Sequence, residues 1–195
     1  METLSNKNKD TLLELANKTL SEGLNTGLRP FIDSADYDIP LQKHKACFVT
    51  LYLNSSLRGC IGTLEAQQPL VNAVVDASHS AAFQDVRFSP LSADELPAVE
   101  TSISVLSIPE IIHLADESEL LTQLRPGIDG LILEEGNHRG TFLPSVWTQL
   151  PEPMEFLAQL KRKAGLPSNY WSRSVVVSRY TTESFSAQKN QESPE

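Results

Sequence analysis

Residues 46–63 read ACFVTLYLNSSLRGCIGT, two strand-like runs separated by a short polar break. The first run is apolar and rich in β-branched and aromatic residues, and the second resumes at Leu57, so the segment predicts a β-hairpin. Because a shift of one residue exchanges the two faces of a strand, the apolar pattern favours a three-residue loop over residues 54–56, with Leu53 opposite Leu57. A two-residue loop would instead place Arg58 among apolar side chains and desolvate its guanidinium.

In this register the only two cysteines of the chain lie on opposite faces of the hairpin. Cys47 shares the core face with the apolar residues, whereas Cys60 shares a mixed face with Thr50, Tyr52 and Arg58. The two sulfur atoms therefore cannot form a disulfide within the sheet. Two interpretations of Cys60 stay open. It is a small buried hydrophobe, or it is a thiol activated by a nearby cation, and so a nucleophile or redox centre.

Two glycines, Gly59 and Gly62, flank Cys60. Glycine inside a strand often marks a bulge or a place where a ligand or another backbone comes close. The spacing alone does not choose between these uses.

Outside the hairpin, helical and strand-like patterns alternate irregularly along the chain. Helical periodicity or capping predicts helices over residues 12–20, 69–83, 116–124 and 154–164. Alternation predicts strands over residues 99–106, 131–143 and 175–177. Gly136 and Asn137 suit a type II′ turn that places Glu134 opposite Arg139 and Glu135 opposite His138. The irregular order favours an α+β fold, with a largely antiparallel sheet and flanking helices, over a doubly wound α/β fold.

Composition excludes several classes of protein. The 195 residues carry 16 Lys and Arg against 25 Asp and Glu, a net charge of −9, which argues against nucleic acid or an anionic membrane as a partner. No apolar run approaches the ~20 residues of a membrane-spanning helix. Two cysteines, and an N-terminus without the pattern of a signal peptide, favour a reducing cytoplasm.

The charge is also uneven, because residues 84–120 are mainly acidic and residues 151–180 mainly basic. An acidic and a basic surface that are each exposed to solvent would explain this pattern. Two surfaces of opposite charge that meet within one chain or between chains would also explain it.

Cofactor motifs are missing from the sequence. The four histidines, His44, His79, His113 and His138, are scattered, and no P-loop, dinucleotide fingerprint or G-x-S-x-G is present. We therefore expect no metal and no organic cofactor. His79 lies on a predicted helix, where a lone histidine is more often a packing residue than a ligand.

Several blocks of sequence resemble the AMMECR-one domain family. They are LRGCIGT at 57–63, AAF at 81–83 with DVRF at 85–88, ISVL at 103–106, GIDGL at 127–131 and RGTFLP at 139–144. The resemblance covers residues 8–182 as one domain and leaves 183–195 as a flexible polar tail. Residues 144–166 resemble the bacterial branch of the family. One departure is Ser145, which stands where many members have Gln.

The resemblance implies two unequal lobes around a cleft lined by residues 57–63. It also implies similarity to the first component of the AmmeMemoRadiSam system, with Memo-like and radical-SAM proteins as partners. The candidate site residues carried over by position are Arg58, Gly59, Cys60, Gly62 and Thr63, with Asp85 and Arg87 as supports. Arg87 is also a candidate for ligand binding, and His79, singled out by its place on the predicted helix, is a further candidate support.

Two functions are compatible with these residues. The first is an enzyme or enzyme component in which Cys60 reacts and a cationic pair, Arg58 and Arg87, orients a small carboxylate or phosphate. The second is a non-catalytic adaptor that binds the partner proteins. The absence of a base beside Cys60 favours the adaptor, whereas residues 59–62 favour a ligand-accessible cleft. Asp85 and Arg87 also have a structural interpretation, as an ion pair that fixes a loop. The sequence does not specify the reaction, the substrate or the oligomeric state.

Overall fold

The computed structural model describes residues 3–113 and 115–187. The chain divides into two compact units: unit 1 is Met1–Leu106 with Glu183–Glu195, and unit 2 is Ser107–Thr182. Each unit has its own four-stranded sheet and its own hydrophobic cluster. The α+β class predicted from the sequence is confirmed. The cleft between two lobes stays a prediction.

Unit 1 is built from two long helices packed against a mainly antiparallel sheet. Its elements are α1 (Asn6–Thr26), α2 (Ile39–Gln42), β1 (Cys47–Leu53), β2 (Ser56–Gly62), α3 (Leu70–Phe83) and β3 (Val99–Leu106), with short 3₁₀ helices at Ser34–Asp36 and Leu96–Ala98. The helix α3 contacts α1, β1 and β2. The strand β1 pairs antiparallel with β2 and with β3. The core therefore lies between the sheet and α3.

The helix α1 continues past the predicted apolar stripe. Its first turn is capped by Ser5, whose hydroxyl accepts from the Asn8 N–H, and it ends at Gly27 with a φ of 73°. Gly23 lies inside the helix, at a point where a Cβ would come within 2.3 Å of the Phe83 ring on α3. This glycine brings α1 and α3 together and does not end the helix.

The loop predicted for the first hairpin is wrong, although the register beyond it is right. Asn54 and Ser55 both have positive φ and form a two-residue turn, so that Leu53 pairs with Ser56. The register shifts between Leu51 and Tyr52. On the side of this shift away from the turn, the strands pair as expected, with Thr50 facing Cys60. A β-bulge at Arg58 absorbs the extra residue, which keeps its guanidinium out of the apolar face.

Unit 2 contains β4 (Glu110–Ile111), α4 (Glu117–Gln123), β5 (Gly130–Glu135), β6 (His138–Phe142), a 3₁₀ helix at Pro144–Thr148, α5 (Pro153–Lys163) and β7 (Val176–Tyr180). Its sheet has the order β4-β7-β5-β6. The predicted register of the second hairpin is confirmed, with Glu134 opposite Arg139. In the core, the Trp147 and Phe156 rings stack with centroids 3.8 Å apart.

One ion pair of unit 2 joins the acidic and basic segments of the sequence. The Lys161 side chain is 1% exposed, and its Nζ lies 2.7 Å from Oε1 of Glu117 at the start of α4. The complementary charges therefore meet within the chain at this point.

The predicted start of the polar tail, residue 183, is wrong. A further strand, β8 (Thr182–Ser186), follows β7 and pairs with β3 in the sheet of unit 1. Phe185 packs against the core, and Glu183 accepts the Leu4 N–H. The domain also begins before residue 8, because Leu4 is buried. The rest of the predicted tail, residues 188–195, lies outside the described residues.

No helix among the described residues combines the length and apolar character needed to span a membrane.

Candidate functional site

Most of the predicted site residues lie on β2 or on the loop that follows α3, with Thr63 directly after β2 and His79 on α3. Both glycines of β2 are required by the packing of protein backbone. A Cβ on Gly59 would come within 2.1 Å of the Ala81 carbonyl oxygen on α3, and one on Gly62 within 2.2 Å of the Cys47 oxygen on β1. Close packing of β2 on α3 accounts for Gly59, and close packing of β2 on β1 accounts for Gly62.

Cys60 is half-buried, and both main-chain hydrogen-bonding groups of this residue are bound by side chains of the loop after α3. Its N–H donates to Oδ2 of Asp85 at 2.9 Å, and its carbonyl accepts from Nη2 of Arg87 at 3.2 Å. Its sulfur accepts from the hydroxyl of Thr50 at 3.3 Å. Cys47, by contrast, is fully buried, and both cysteines are free thiols.

The Asp85 carboxylate is the centre of this arrangement. Only 4% of its side chain is exposed, and it accepts from Nε of Arg87 at 2.9 Å and from Nη2 at 2.7 Å. The bonds from Arg87, together with the N–H of Cys60, hold the pKa of Asp85 well below its usual range. The structural interpretation of Asp85 and Arg87 as an ion pair that fixes a loop therefore describes the geometry.

Arg58 makes a second ion pair, which the sequence did not predict. Its Nε lies 2.7 Å from Oε1 of Glu95, its Nη2 lies 3.0 Å from Oε2, and Nη2 also donates to the Ser89 carbonyl at 2.9 Å. The Arg58 side chain is 11% exposed. Hydrogen bonds from Arg58, and then from Ser92, lower the pKa of Glu95 to about 2. The Arg58 guanidinium is therefore held by a carboxylate of unit 1, and its expected role of orienting a small anion together with Arg87 stays a prediction.

Glu95 could not be identified from the sequence as the partner of Arg58. It lies 37 residues further along the chain, just before a 3₁₀ helix, and belongs to no motif or periodic pattern. The partner depends on how the loop after α3 folds back onto β2.

The loop between the two ion pairs places an aromatic ring close to both arginines. The Phe88 ring centroid lies 5.9 Å from the Arg58 guanidinium carbon and 5.4 Å from that of Arg87. Val86, between the ion-paired Asp85 and Arg87, is 99% exposed. The segment 85–88 is thus fixed at both ends and presents an apolar side chain outward.

A cavity of about 460 Å³ adjoins the other end of the predicted site. It is lined by Gly62 and Thr63, and its charged side chains are the carboxylates Glu65 and Asp76. Asp76 forms an ion pair with Arg29. Neither Arg58 nor Arg87 lines this cavity, so the pair of cations expected for an anionic ligand is not assembled there.

The remaining predicted residues have structural contacts. The rings of His79 and Phe83 lie 5.0 Å apart on α3, which fits a packing role for His79. The Thr63 N–H donates to the Cys47 carbonyl at 3.1 Å and extends the pairing of β1 with β2. Ser145 lies in the 3₁₀ helix of unit 2. A role of any of these residues toward a ligand stays a prediction.

Among the residues that the structure describes, no three His, Cys, Asp or Glu side chains are grouped so as to hold a metal ion.

The fold and these contacts define an α+β protein in which a Gly-Cys-Ile-Gly strand is fixed by two carboxylate–guanidinium pairs. The chain belongs to the AMMECR1 family, whose model matches residues 13–185. The assignment to its bacterial branch stays a prediction.

Relatives with solved structures and curated sequences support this membership. The uncharacterized protein PH0010 from Pyrococcus horikoshii superposes with a TM-score of 0.86, at 33% identity over 94% of this chain and 93% of its own. Protein MJ0810 from Methanocaldococcus jannaschii is 37% identical over 153 residues, 76% of each chain. Protein SSO0193 from Saccharolobus solfataricus is 39% identical over 183 residues, which are 87% of this chain and 77% of that protein.

Proposed function

We propose that this chain is a cytoplasmic, non-catalytic binding module that presents the loop at residues 85–88 to a protein partner. The observation that carries the proposal is the use of both candidate cations inside the fold. Arg58 is bound to Glu95 and Arg87 to Asp85, so neither charge is left free of a carboxylate for an anionic substrate. The contacts of the two neighbouring glycines are likewise explained by packing.

The surface of this module has a feature suited to protein recognition. Four hydrogen bonds converge on Asp85 from Cys60 and Arg87, so the conformation of the loop is set before any partner binds. Pre-organisation lowers the entropy cost of association. Val86 extends from this fixed loop and is 99% exposed. Protein interfaces commonly have an apolar centre surrounded by a polar rim. An exposed Val86 between the charged residues Asp85 and Arg87 matches this arrangement.

The partners that we propose are the Memo-like and radical-SAM proteins implied by the family resemblance. On this view the chemistry takes place in those proteins, and the present chain positions them.

The test is co-purification of the chain with the Memo-like and radical-SAM proteins of the same organism, followed by light scattering to measure the mass of the complex. We expect Val86→Asp to abolish the complex. Ile108→Asp is the matched control, because Ile108 is 84% exposed in unit 2 and the substitution removes the same kind of side chain. A wild-type chain that binds neither protein, or a complex that survives Val86→Asp, would refute the proposal.

A second candidate function is thiol chemistry at Cys60. The specific observation that favours it is the hydrogen bond from the Thr50 hydroxyl to the half-buried sulfur, with the Arg87 guanidinium bound to the carbonyl of the same residue. Cys60→Ser separates the two candidates, since it removes the thiol and leaves the 85–88 loop unchanged. Complex formation should survive this substitution if the binding module is correct.

A further inference from the structure

We propose that the groove between β2 and α3 binds a short extended segment of a partner protein, which pairs with the open edge of β2 at Gly62. The cavity of about 460 Å³ lies in this groove. Its lining comes mainly from residues 61–63 at the end of β2, from α3 and from residues 65–68. Among the described residues that line it, none belongs to the 85–88 loop, so the proposal does not rest on the proposed function.

Gly62 directs both of its main-chain hydrogen-bonding groups toward the open edge of the sheet. Along an antiparallel strand, residues that bond to the neighbouring strand alternate with residues whose N–H and C=O point away from it. The Thr63 N–H donates to the Cys47 carbonyl at 3.1 Å, so the main-chain groups of the preceding residue, Gly62, point away from β1. Because β2 is the first strand in the order β2-β1-β3-β8, no strand of the described chain lies on that side.

These two Gly62 groups are open to a ligand. Within residues 3–113 and 115–187 neither the N–H nor the C=O has a hydrogen-bond partner. Gly62 is also partly exposed and lines the cavity, so the edge of the strand borders the space in which a ligand would lie. Extended peptides bind to sheets through such unpaired groups of an edge strand. The matching ligand is therefore a main-chain segment that supplies one C=O and one N–H.

The same edge is already occupied at Cys60, two residues earlier. There the Asp85 carboxylate accepts the N–H at 2.9 Å, and Nη2 of Arg87 donates to the carbonyl at 3.2 Å. An added strand would make the same two bonds with its own carbonyl and N–H. The fold thus supplies side chains in place of a strand at Cys60 and leaves the equivalent groups of Gly62 for another molecule. Since Asp85 and Arg87 block the edge at Cys60, the bound segment is short.

This pairing fixes where the side chains of a bound segment point. Side chains alternate between the two faces of a sheet, and Gly59 of β2 lies against α3. The residue opposite Gly62 therefore points away from α3, and its two neighbours in the segment point toward that helix. Ala73 and Ala77, one turn apart on α3, line the cavity with methyl groups and leave room for an apolar side chain such as valine.

The polar lining favours a basic residue in the bound segment. Its charged side chains, within the part of the chain that the structure describes, are the carboxylates of Glu65 and Asp76. Asp76 is held in place, because Arg29 pairs with one of its oxygens and Nε2 of Gln68 donates to the other at 3.0 Å. A carboxylate oxygen accepts more than one hydrogen bond, so Asp76 retains capacity for a lysine of the segment.

Amide NMR spectra of the ¹⁵N-labelled full chain measure binding at Gly62 directly. The reference ligand is the peptide acetyl-Thr-Val-Thr-Lys-Thr-amide, whose central threonine is designed to pair with Gly62. We expect the Gly62 amide resonance to move downfield and to saturate as the peptide is added, because its N–H gains an acceptor. For the same reason the exchange of this amide hydrogen with solvent should slow.

Two altered peptides test the main-chain bond and the charge separately. A peptide N-methylated at the central threonine lacks the N–H that the Gly62 carbonyl would accept, and should bind at least about fivefold more weakly. A peptide with Glu in place of Lys is repelled by the carboxylates of the groove and should also bind at least about fivefold more weakly. Equal affinities for all three peptides, or no saturable shift of Gly62 with the reference peptide, would overturn the proposal.

A second copy of the chain is the other molecule that offers a strand to this edge. Dilution of the protein without peptide, followed by NMR and light scattering, identifies it. We expect the Gly62 amide resonance and the mass to stay constant. A resonance that moves with protein concentration, together with a doubled mass at high concentration, would assign the edge to self-association and overturn the assignment to a partner protein.

Variants of the groove complete the test. Ser80 is half-buried in the lining and its hydroxyl bonds to the Gln84 side chain, so Ser80→Tyr should fill the groove and abolish the Gly62 shift. Ser21→Tyr is the matched control, on a half-buried serine of α1 that does not line the cavity. Asp76→Asn should reduce the preference for the Lys peptide over the Glu peptide, whereas Asp94→Asn, at an exposed position outside the groove, should not. Unchanged binding by Ser80→Tyr and an unchanged preference in Asp76→Asn would overturn the proposal.

Discussion

The amide N–H of Cys60 donates to the carboxylate of Asp85 at 2.9 Å, where a neighbouring strand would otherwise accept. Arg87, ion-paired to the same carboxylate, binds the Cys60 carbonyl. Because β2 is at the edge of its sheet, the two side chains occupy the hydrogen-bonding positions of an added strand. Exposed edges promote pairing between molecules, and side chains that cover them prevent it.

Asp85→Ala should therefore lower stability and promote association. The substitution leaves the Cys60 N–H without its acceptor and the Arg87 guanidinium without its carboxylate. Because half of the Arg87 side chain is exposed and can be hydrated, we expect a loss of about 1–3 kcal/mol, less than for a fully buried ion pair. Urea unfolding measures the loss, and light scattering at increasing protein concentration measures association. Glu22→Ala is the control, since Glu22 pairs with Lys18 on the exposed face of α1 and should contribute less than about 1 kcal/mol. A variant as stable and as monodisperse as the wild type would contradict this role.

Arg58→Ala should also destabilise the fold. The Arg58 side chain is 11% exposed and binds both oxygens of Glu95, so its removal leaves a partly buried carboxylate without its cation. We expect a loss on the order of 3 kcal/mol in the free energy of unfolding. We also expect sulfate and phosphate to protect the wild type no more than they protect Arg58→Lys. Protection by anions that disappears in Arg58→Ala, with little loss of stability, would restore the interpretation of Arg58 as an anion receptor.

The same ion pair sets the response of the protein to acid. The pKa of Glu95 is lowered to about 2 in the fold, against about 4.3 for an unfolded glutamate. Its contribution is complete above about pH 4.3 and is lost as the pH falls toward 2, because the unfolded chain then binds the proton more readily. Glu95→Gln should flatten this part of the curve of unfolding free energy against pH. Asp85 has a shift of the same sign, so some slope remains.

Gly59→Ala should be strongly destabilising, because the new Cβ would lie 2.1 Å from the Ala81 carbonyl oxygen, a backbone atom that cannot move aside by changing rotamer. Overpacking of this kind costs about 1–3 kcal/mol or more. Gly27→Asn is the control: this glycine has a φ of 73°, which Asn tolerates, and no atom lies within 4 Å of its Cβ position. Melting temperatures of the two variants, compared with the wild type, decide whether α3 packs on β2 this closely.

The sequence was sufficient to predict features that depend on periodicity and on local turns. The pairing of Glu134 with Arg139 follows from the Gly136 turn, and the core face of β1 follows from alternation. It was insufficient for the bulge at Arg58, because a bulge adds a residue without changing the apolar pattern on either side.

Contacts between distant segments were also beyond sequence reasoning. The bond between Arg58 and Glu95 depends on the path of a loop, and β8 is too polar to be recognised as a strand. The pairing of β8 with β3 is aided by Phe185, one apolar residue in a polar segment, and by the hydrogen bond between the hydroxyls of Ser104 and Ser184.

The two cysteines should differ in their reaction with alkylating reagents. Cys47 is fully buried, and burial, with a smaller effect from Asp76, raises the pKa of its thiol to about 12. Since the thiolate is the reactive form, Cys47 should be unreactive in the folded protein. Cys60 is half-buried with its sulfur bonded to Thr50, and should be labelled first.

Iodoacetamide treatment of the native protein at pH 7.5, followed by peptide mass spectrometry, measures both sites at once. We expect Thr50→Val to change the rate at which iodoacetamide alkylates Cys60, because the substitution removes the hydroxyl that donates to the sulfur. Cys47 should stay unlabelled in this variant. Treatment in urea is the control, since both cysteines should then react at similar rates. Preferential labelling of Cys47 in the native protein would show that the two residues do not occupy the faces of β1 and β2 described above.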